Sequence, residues 1–407
     1  MPTRPPFDAA VTGIGMVTAA GIGTEDTWAA LLAAEGTAAT LVPELAGTPA
    51  DFGCAVTDFD PLTAVHRRRT WRLDRSSLFA IAAAKEALAD SGLDPTAWDG
   101  ARVGVVMGNG IGGAATWEKQ HRTLLDEGPK AVSALLIPML SVNMSAGYIA
   151  MECGALGPNF VTATACASGT TAVGMARELL RSGMCDVVIT GGTEACLVPS
   201  IVSGFSQMKA LSGRRSEMRA AARPFDVDRD GFVPAEGAAV LILERVEDAR
   251  ARGATVRALV SGYGASADAH HATAPDPEGR GAERALRTAL ADAELDTVDH
   301  VNAHGTSTEL NDAAEAAMIQ RVCGDGPSVT SVKGVLGHAL GAAGAIEAAA
   351  TALTIQHGVV PPTANVEKVD VDVDVVVGEP RRGRVAAAAS NSFGFGGQNA
   401  VLILTAP

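Results

Sequence analysis

Short apolar runs of β-forming residues, bounded by glycine, alternate along this chain with alanine-rich segments of helical length. The clearest runs are residues 103–107, 186–190 and 239–243. The segment 76–90 places apolar side chains at helical intervals and is followed by Ser91 and Gly92, a typical helix end. Strands that alternate with helices pack into layers of sheet and helix. The sequence therefore predicts an α/β fold.

A short pattern from the start of the chain recurs in its second part. Residues 10–15 read Ala-Val-Thr-Gly-Ile-Gly, and residues 259–264 read Leu-Val-Ser-Gly-Tyr-Gly. Such self-similarity indicates an old, strongly diverged duplication, and a chain of 407 residues is long enough for two large domains. The charged segment 244–257 predicts a helix that leads into the second half. We therefore expect two similar halves, residues 1–257 and 258–407.

The charge and cysteine content exclude several classes of protein. Asp and Glu number 46 against 32 Lys and Arg, a formal net charge of -14, which is the wrong sign for neutralising nucleic-acid phosphates. No apolar stretch reaches the ~20 residues of a membrane span, and residues 1–7 predict a short disordered lead-in without an export signal. The six cysteines have no metal-binding spacing. We expect a cytoplasmic protein without a metal.

Cys166 is the first candidate for chemistry. It stands in the sequence Val-Thr-Ala-Thr-Ala-Cys-Ala-Ser-Gly, residues 161–169, directly before a segment of helical length at 170–181. A thiol at the N-terminus of a helix feels the positive end of the peptide dipoles, which favours the thiolate, and small neighbours leave room for a substrate carbonyl. These features predict a nucleophile, although a buried cysteine that serves only as a small apolar side chain fits the same pattern.

Two histidines and a glycine-rich turn share this character. His304 and His338 each follow a β-type run and are flanked by glycine, so that backbone and ligand can come close together. Beside a thiol, such imidazoles can donate hydrogen bonds or act as a base. The turn at 391–399, Asn-Ser-Phe-Gly-Phe-Gly-Gly-Gln-Asn, has backbone N–H groups that can face an oxyanion. Taken singly, each element also fits a structural role.

Together, these motifs resemble one family, the elongating β-ketoacyl-acyl-carrier-protein synthases, or ketosynthases, of the Cys-His-His type. The resemblance spans essentially the whole chain and includes residues 13–15, 108–113 and 223–237. Thiolases have a second cysteine at the position of His338, and starter-condensing and chalcone-type enzymes have asparagine there. The resemblance implies a thiolase fold, with five αβαβα layers made of two duplicated halves.

The resemblance also implies a decarboxylative Claisen condensation. Cys166 would carry the acyl group, and the backbone N–H groups of Cys166 and Phe395 would form its oxyanion hole. His304 and His338 would contact the malonyl thioester while CO2 departs. The chain would thus lengthen an acyl group by two carbons.

Further site residues are carried over from the same family. Lys333 and Glu315 match a structural ion pair, with Lys333 counted among the catalytic residues and Glu315 and Asp312 as supporting residues. The remaining matches are substrate-binding residues: Thr306 and Thr308 for the phosphopantetheine arm, Phe205 and Phe395 as gates, and Ile111 at the acyl tunnel. Helix capping by the threonines and core packing by the apolar residues are the alternatives.

The family's partner is an acyl carrier protein, which is acidic, so an acidic chain needs a local basic docking surface. The resemblance assigns this surface to six arginines, for which a solvated basic face is the alternative: Arg67, Arg68, Arg69, Arg72, Arg214 and Arg215. No cofactor is expected, because the phosphopantetheine arm arrives on the carrier protein. The chain is expected to form a homodimer, or a heterodimer with a subunit like a chain-length factor.

Two pathways stay open. The chain could elongate acyl groups by itself in fatty-acid or secondary-metabolite synthesis, or it could be the ketosynthase subunit of a type II polyketide or polyene synthase, active only beside its partner. Gln398 and Trp71 depart from the family pattern and bear on substrate range. Cys166 argues against a non-catalytic scaffold subunit. A Cys-His hydrolase would need a water-activating base and an acid that orients its histidine.

Overall fold

The computed structural model describes residues 6–36 and 39–407, so most of the predicted lead-in lies outside the described residues. The strands are β1 (Ala9–Thr18), β2 (Gly21–Ile22), β3 (Ala39–Leu41), β4 (Phe52–Cys54), β5 (Val103–Gly108), β6 (Asn159–Thr162), β7 (Val187–Glu194), β8 (Gly237–Arg245), β9 (Ala258–Ala267), β10 (His300–Asn302), β11 (Ser328–Thr330), β12 (Val359–Val360), β13 (Asp374–Val375), β14 (Arg381–Arg382), β15 (Ala387–Gly394) and β16 (Gln398–Thr405).

Helices and short 3-10 segments connect these strands. The α-helices are α1 (Thr24–Ala33), α2 (Pro61–Ala64), α3 (Arg67–Thr70), α4 (Arg75–Ser91), α5 (Ala114–Glu127), α6 (Leu136–Leu140), α7 (Met144–Cys153), α8 (Ser168–Arg181), α9 (Pro199–Gln207), α10 (Val246–Ala251), α11 (Arg280–Asp292), α12 (Glu309–Cys323), α13 (Lys333–Leu336) and α14 (Ala343–His357). The three predicted strands and the helix predicted at 76–90 are confirmed as β5, β7, β8 and α4. The charged segment 244–257 forms only the short helix α10.

One large sheet runs through the molecule in the order β13-β11-β10-β15-β16-β9-β1-β8-β7-β5-β6, with β2 paired to β1. At its centre β1 pairs antiparallel with β9, where Ala9 lies opposite Val260. Outward from this contact, the order is β1-β8-β7-β5-β6 on one side and β9-β16-β15-β10-β11 on the other. The two sides have the same plan, which supports the proposed duplication, while the boundary at residue 257 stays a prediction.

Matching glycines bring one helix onto the central strand of each half. A Cβ atom at Gly15 would lie 2.0 Å from the carbonyl oxygen of Ala83 in α4. A Cβ atom at Gly264 would lie 2.0 Å from the carbonyl oxygen of Ala285 in α11. Only glycine permits such a close approach of helix and strand. The repeated Gly-x-Gly pattern therefore has the same packing role in both halves.

The two halves of the sheet and the helices outside and between them form five layers. α4 packs on β1 and β8 at one outer face, and α11 packs on β9 and β16 at the other. Between the halves, α8 contacts β5 and β7, while α14 contacts α8, β8 and β15. Residues 343–355 of α14 are all buried, as expected for a mostly apolar helix that is packed on every side. In the part of the chain that is described, no helix has the length and apolar character needed to cross a membrane.

Candidate active site

Cys166 lies at a strand-to-helix turn, where its sequence neighbours placed it. β6 ends at Thr162, a 3-10 segment spans Ala165–Ala167, and α8 begins at Ser168. Ala165 has φ 50°, an unusual left-handed conformation for a residue with a side chain. The Ser168 hydroxyl stabilises this turn, because it donates to the Ala165 carbonyl at 2.6 Å and accepts from the Thr164 amide at 3.0 Å.

The fold brings both predicted histidines to this thiol. The sulfur of Cys166 and one ring nitrogen each of His304 and His338 lie within 4.8 Å of one another, and all three side chains are buried. The imidazole centroids are 5.4 Å apart, and the rings are nearly perpendicular. His304 follows a strand, β10, as predicted, whereas the prediction for His338 is wrong, because it follows the short helix α13. Three separate parts of the chain thus meet at one point between the two halves.

The prediction that Lys333 and Glu315 form an ion pair is wrong. Lys333 is buried, and its ammonium pairs with Glu347 of α14. Glu315 instead accepts hydrogen bonds from the backbone N–H groups of His304 and Gly305, both at 2.8 Å. Glu315 lies on the helix that directly follows the His304 loop, so the amides of that loop occupy both of its oxygens. Asp312 is also buried in this helix and accepts a hydrogen bond from the Phe225 amide at 2.9 Å.

Lys333 sets the hydrogen-bonding state of His304. Its Nζ atom donates to the His304 carbonyl oxygen at 2.5 Å and lies 3.5 Å from His304 Nδ1. An ammonium has donors only, so Nδ1 is the acceptor and the ring hydrogen of neutral His304 lies on Nε2. Burial and the charge of Lys333 hold the pKa of His304 and that of His338 well below 6.5. Both imidazoles are therefore neutral near pH 7.

The state of the thiol differs from the sequence-based expectation. Burial raises the pKa of Cys166 to about 11, although the charge of Lys333 and the N–H of Phe395 both lower it. Loss of solvent around the sulfur therefore outweighs the groups that favour the thiolate. Cys166 is therefore a neutral thiol near pH 7, and to act as the predicted nucleophile it would have to give up its proton.

The glycine-rich turn lies directly against the nucleophile. β15 ends at Gly394 and β16 begins at Gln398. A Cβ atom at Gly394 would lie 3.0 Å from the Cys166 backbone nitrogen and 2.7 Å from the Thr164 carbonyl oxygen, so this strand end requires glycine. The N–H of Phe395 hydrogen-bonds to the Cys166 thiol. The two amides predicted for an oxyanion hole are thus both beside the sulfur.

A cavity of about 490 Å³ leads to Cys166 and both histidines. Of the predicted substrate-binding residues, Phe205, Thr306, Thr308 and Phe395 line it, and Ile111 does not. The hydroxyls of Thr306 and Thr308 are 2.9 Å apart. Thr308 precedes α12, but its side chain makes no capping hydrogen bond, so helix capping does not account for it. Lys209 and Asn399 also line the cavity, although their sequence context did not predict this.

Ile111 packs near Cys166 although it does not line the cavity. Together with Ile201 and Phe205, it packs against a buried cluster formed by Cys166, Cys196 and Leu340. The apolar surroundings suit an acyl chain, because they offer no hydrogen-bonding groups.

The predicted docking arginines differ in their surroundings. Arg67, Arg68 and Arg72 are exposed, and within residues 6–36 and 39–407 none of them forms an ion pair. Arg69 pairs with Glu152, and Arg215 pairs with Asp51 at 2.9 Å. Arg214 lies 3.8 Å from Asp230, which lines the cavity. The part of the predicted surface that is free to meet an acidic partner therefore consists of Arg67, Arg68 and Arg72.

A thiol and two imidazoles are also ligands that zinc prefers. Here the Nζ atom of Lys333 lies 3.5 Å from His304 Nδ1. The positive charge of this ammonium repels a metal ion at the same place. We therefore assign no metal to this site.

Two buried carboxylates at the site were missed as functional residues. Glu347 interrupts an otherwise apolar segment at residues 340–355, and this isolated charge was the signal that it needs a buried partner. Glu194 ends β7 and accepts backbone hydrogen bonds from Gly110, Ile111 and Gly341. Burial raises its pKa to about 7. Nothing in its sequence context predicted these contacts.

Comparisons with known proteins agree on one family. The model of the β-ketoacyl synthase N-terminal domain matches residues 7–249, and that of the C-terminal domain matches residues 257–367. A 3-oxoacyl-[acyl-carrier-protein] synthase 2 from Synechocystis is 43% identical over 400 residues, which are 96% of each chain.

Solved structures show the same fold. The ishigamide ketosynthase/chain length factor has a TM-score of 0.93 and 34% identity, over 99% of this chain and all of the other. A type II polyketide ketosynthase solved in complex with its acyl carrier protein has a TM-score of 0.88 and 31% identity, again over 99% of this chain and all of the other. The thiolase-like fold implied by the sequence motifs is thereby confirmed.

Proposed function

This chain belongs to the β-ketoacyl synthase family of condensing acyltransferases, and on that premise we propose that it joins an acyl group carried on Cys166 to malonyl-acyl carrier protein. CO2 is lost, and the product is a β-ketoacyl-acyl carrier protein two carbons longer. The observation that carries this proposal is the meeting of one thiol and two neutral imidazoles at the inner end of a cavity.

The first half-reaction moves the acyl group to the enzyme. The Cys166 sulfur attacks the thioester carbonyl of the acyl carrier protein, and the amides of Cys166 and Phe395 stabilise the negative oxygen of the tetrahedral intermediate. The new C–S bond forms as the bond to the pantetheine sulfur breaks. The proton of the Cys166 thiol leaves through a neighbouring imidazole and ends on the pantetheine thiol, which departs with its carrier.

The second half-reaction forms the carbon–carbon bond. Malonyl carrier protein loses CO2, and the electron pair becomes an enolate whose oxygen accepts hydrogen bonds from His304 and His338. Neutral donors in a water-poor cavity stabilise this charge more strongly than water does. The enolate carbon attacks the acyl carbonyl, the C–S bond breaks, and the Cys166 thiolate that is released takes up a proton from solvent.

The partners follow from the same chemistry. An acyl carrier protein delivers both substrates on its phosphopantetheine arm, which the hydroxyls of Thr306 and Thr308 bind inside the cavity, so no resident cofactor is proposed. All six cysteines lie in the described residues and are free thiols, which supports the cytoplasm as the compartment.

Two assemblies are compatible with this function. The relative from Synechocystis carries the name of a fatty-acid type synthase, and we propose elongation by a homodimer as the first assembly. The alternative, a type II polyketide ketosynthase beside a chain-length factor, is favoured by the solved ketosynthase/chain length factor structures.

The proposed function is tested by intact-protein mass spectrometry. The purified chain is incubated with acyl carrier proteins bearing short, medium and long acyl groups, and any adduct is mapped to its peptide. We expect an acyl adduct on Cys166 and, after malonyl carrier protein is added, release of a product two carbons longer. Release of free acid without condensation would favour a hydrolase and overturn the proposal. Activity that appears only with a chain-length factor would select the alternative assembly.

Loss of the Lys333 charge should separate stability from chemistry. In Lys333→Met, the Glu347 carboxylate stays buried without its partner, which costs ~3–5 kcal/mol of the free energy of unfolding. Adding Glu347→Gln removes that charge and should restore most of the stability measured by denaturant unfolding. Malonyl decarboxylation should stay low in the double variant, because His304 Nδ1 has lost its donor. Full activity in the double variant would reduce Lys333 to a structural residue.

Reversing two exposed charges should weaken carrier-protein docking. Arg67→Glu combined with Arg68→Glu places negative charge where an acidic partner approaches, so we expect KM for the carrier protein to rise about tenfold at low salt. KM for small acyl thioesters should not change. The matched control is Arg382→Glu with Arg384→Glu, two exposed arginines in a different part of the chain. An equal effect in both double variants would remove α3 from the docking surface.

A further inference from the structure

Glu194 joins two loops that pack against each other close to Cys166. It is fully buried at the end of β7. One carboxylate oxygen accepts from the backbone nitrogens of Gly110 at 2.9 Å and Gly341 at 3.2 Å, and the other accepts from Ile111 at 3.3 Å. Among the described residues, no Lys, Arg or His forms an ion pair with this carboxylate. Backbone amides are therefore the hydrogen-bond partners of this buried carboxyl group.

The two glycines make this junction possible. A Cβ atom at Gly110 would lie 2.8 Å from Glu194 Oε2, and a Cβ atom at Gly341 would lie 2.6 Å from the same oxygen. The Gly341 Cβ would also lie 2.4 Å from the Gly110 nitrogen. Any larger residue at either position would push the loops apart. The junction is thus closely packed around a single oxygen atom.

Each loop presents an apolar side chain to the space beside Cys166. Gly110 precedes Ile111, and Gly341 follows Leu340, which has a left-handed φ of 46°. Leu340 and Cys166 belong to one buried cluster, and Ile111 packs against it. The carboxyl group of Glu194 therefore holds the backbone segment that carries Ile111.

The residues that line the cavity indicate how the position of Ile111 affects a bound acyl chain. The cavity is lined by Cys166 and Leu340, whereas Ile111 and Ile201 pack against the cluster that contains these two residues and do not line the cavity. An acyl chain that extends into this region has to displace Ile111. When the backbone moves together with the Ile111 side chain, the hydrogen bonds from the N–H groups of Gly110 and Ile111 to Glu194 break. Longer chains therefore carry an energetic cost that short chains do not.

We propose that Glu194 is a positioning residue that holds Ile111 against Cys166 and so limits the length of acyl chain that the nucleophile accepts. This inference rests on the proposed acylation of Cys166. Glu194 touches neither the substrate nor the reacting atoms in this role. It acts through the loop that carries Ile111.

The test compares chain-length profiles of acylation. In Glu194→Gln, an amide NH2 group faces one of the backbone N–H groups in place of an acceptor, which loosens the loop with little change in side-chain size. The rate of Cys166 acylation by long-chain relative to short-chain acyl carrier proteins should rise about tenfold, the size expected when one hydrogen bond is lost. Ile111→Ala should shift the ratio in the same direction. In the double variant the two effects should not add, because both act through one side chain.

Glu244→Gln is the matched control. Glu244 is a buried carboxylate on β8, next to β7 but at the opposite end of this strand pair from Glu194. It pairs with Arg252 and accepts a hydrogen bond from Thr12. Its loss should lower stability without changing the chain-length ratio. If Glu194→Gln does not fold, Glu194→Asp keeps the charge but is too short to reach both loops, and it should show the same shift.

The outcomes are distinct. A folded Glu194 variant with the wild-type ratio would overturn the inference, provided that Ile111→Ala shifts the ratio. A folded Glu194 variant that accepts no acyl group of any length would also overturn it, because that result indicates a direct role in acylation. If the wild-type protein is not acylated on Cys166 by any carrier, the proposed function itself fails, and the inference fails with it.

Discussion

Cys166→Ala is expected to abolish acyl transfer and condensation, with a loss of at least ~10³-fold in rate, because the covalent carrier of the acyl group is gone. Intact-protein mass spectrometry should find no acyl adduct on the folded variant. Decarboxylation of malonyl carrier protein should persist, since His304 and His338 are still in place. The thiol is buried among small and apolar side chains, so a methyl group in its position leaves the fold intact.

The control for this variant is Cys196→Ala. Cys196 is buried in the same apolar cluster as Cys166, and the mechanism gives it no role. It should therefore keep both half-reactions. An acyl adduct on any peptide of Cys166→Ala would contradict the assignment of the nucleophile. Loss of acylation in Cys196→Ala would contradict it as well.

His304→Ala is expected to separate the two half-reactions. Malonyl decarboxylation should fall by ~10²–10³-fold, the usual effect of losing one donor to a developing oxyanion. Acylation of Cys166 should fall far less, because its oxyanion is stabilised by the amides of Cys166 and Phe395. The measurements are CO2 release from malonyl carrier protein and the rate of adduct formation, each with the purified variant.

His300→Asn is the control for His304. His300 is a buried histidine of β10 that does not line the cavity, and its Nδ1 atom lies 3.0 Å from the Ser328 carbonyl oxygen. Its substitution tests the effect of changing a buried imidazole in the strand that precedes His304. Equal loss of both half-reactions in His304→Ala would show that this side chain does not act on the malonyl group in particular.

Some parts of the site were predictable because they depend on local sequence. The turn at Cys166 follows from a β-type run, small residues and a helical segment in succession. The glycines around His304, His338 and Phe395 also act locally, where backbone segments have to come close to one another. Each of these local features was therefore predictable, although the packing of the fold is what brings the thiol, the histidines and the glycine-rich turn together at one site.

Other parts were not predictable in this way. Lys333 pairs with Glu347 rather than Glu315, because the packing of α14 between the two halves decides which carboxylate reaches the ammonium. The thiol of Cys166 has a raised pKa, because burial depends on the walls that the whole fold places around it. The contacts of Glu194 join segments about 84 and 147 positions away, and no local pattern indicates them.

The sequence by itself thus determined the α/β class, the main elements, the family and the identity of the reactive side chains, because helix and strand periods, glycine positions and motif residues are properties of short segments. Only the tertiary structure decided which charges pair, which groups stay neutral and where Ile111 is held. Those properties depend on desolvation and on distances between residues far apart in the chain, which exist only once the two halves have packed together.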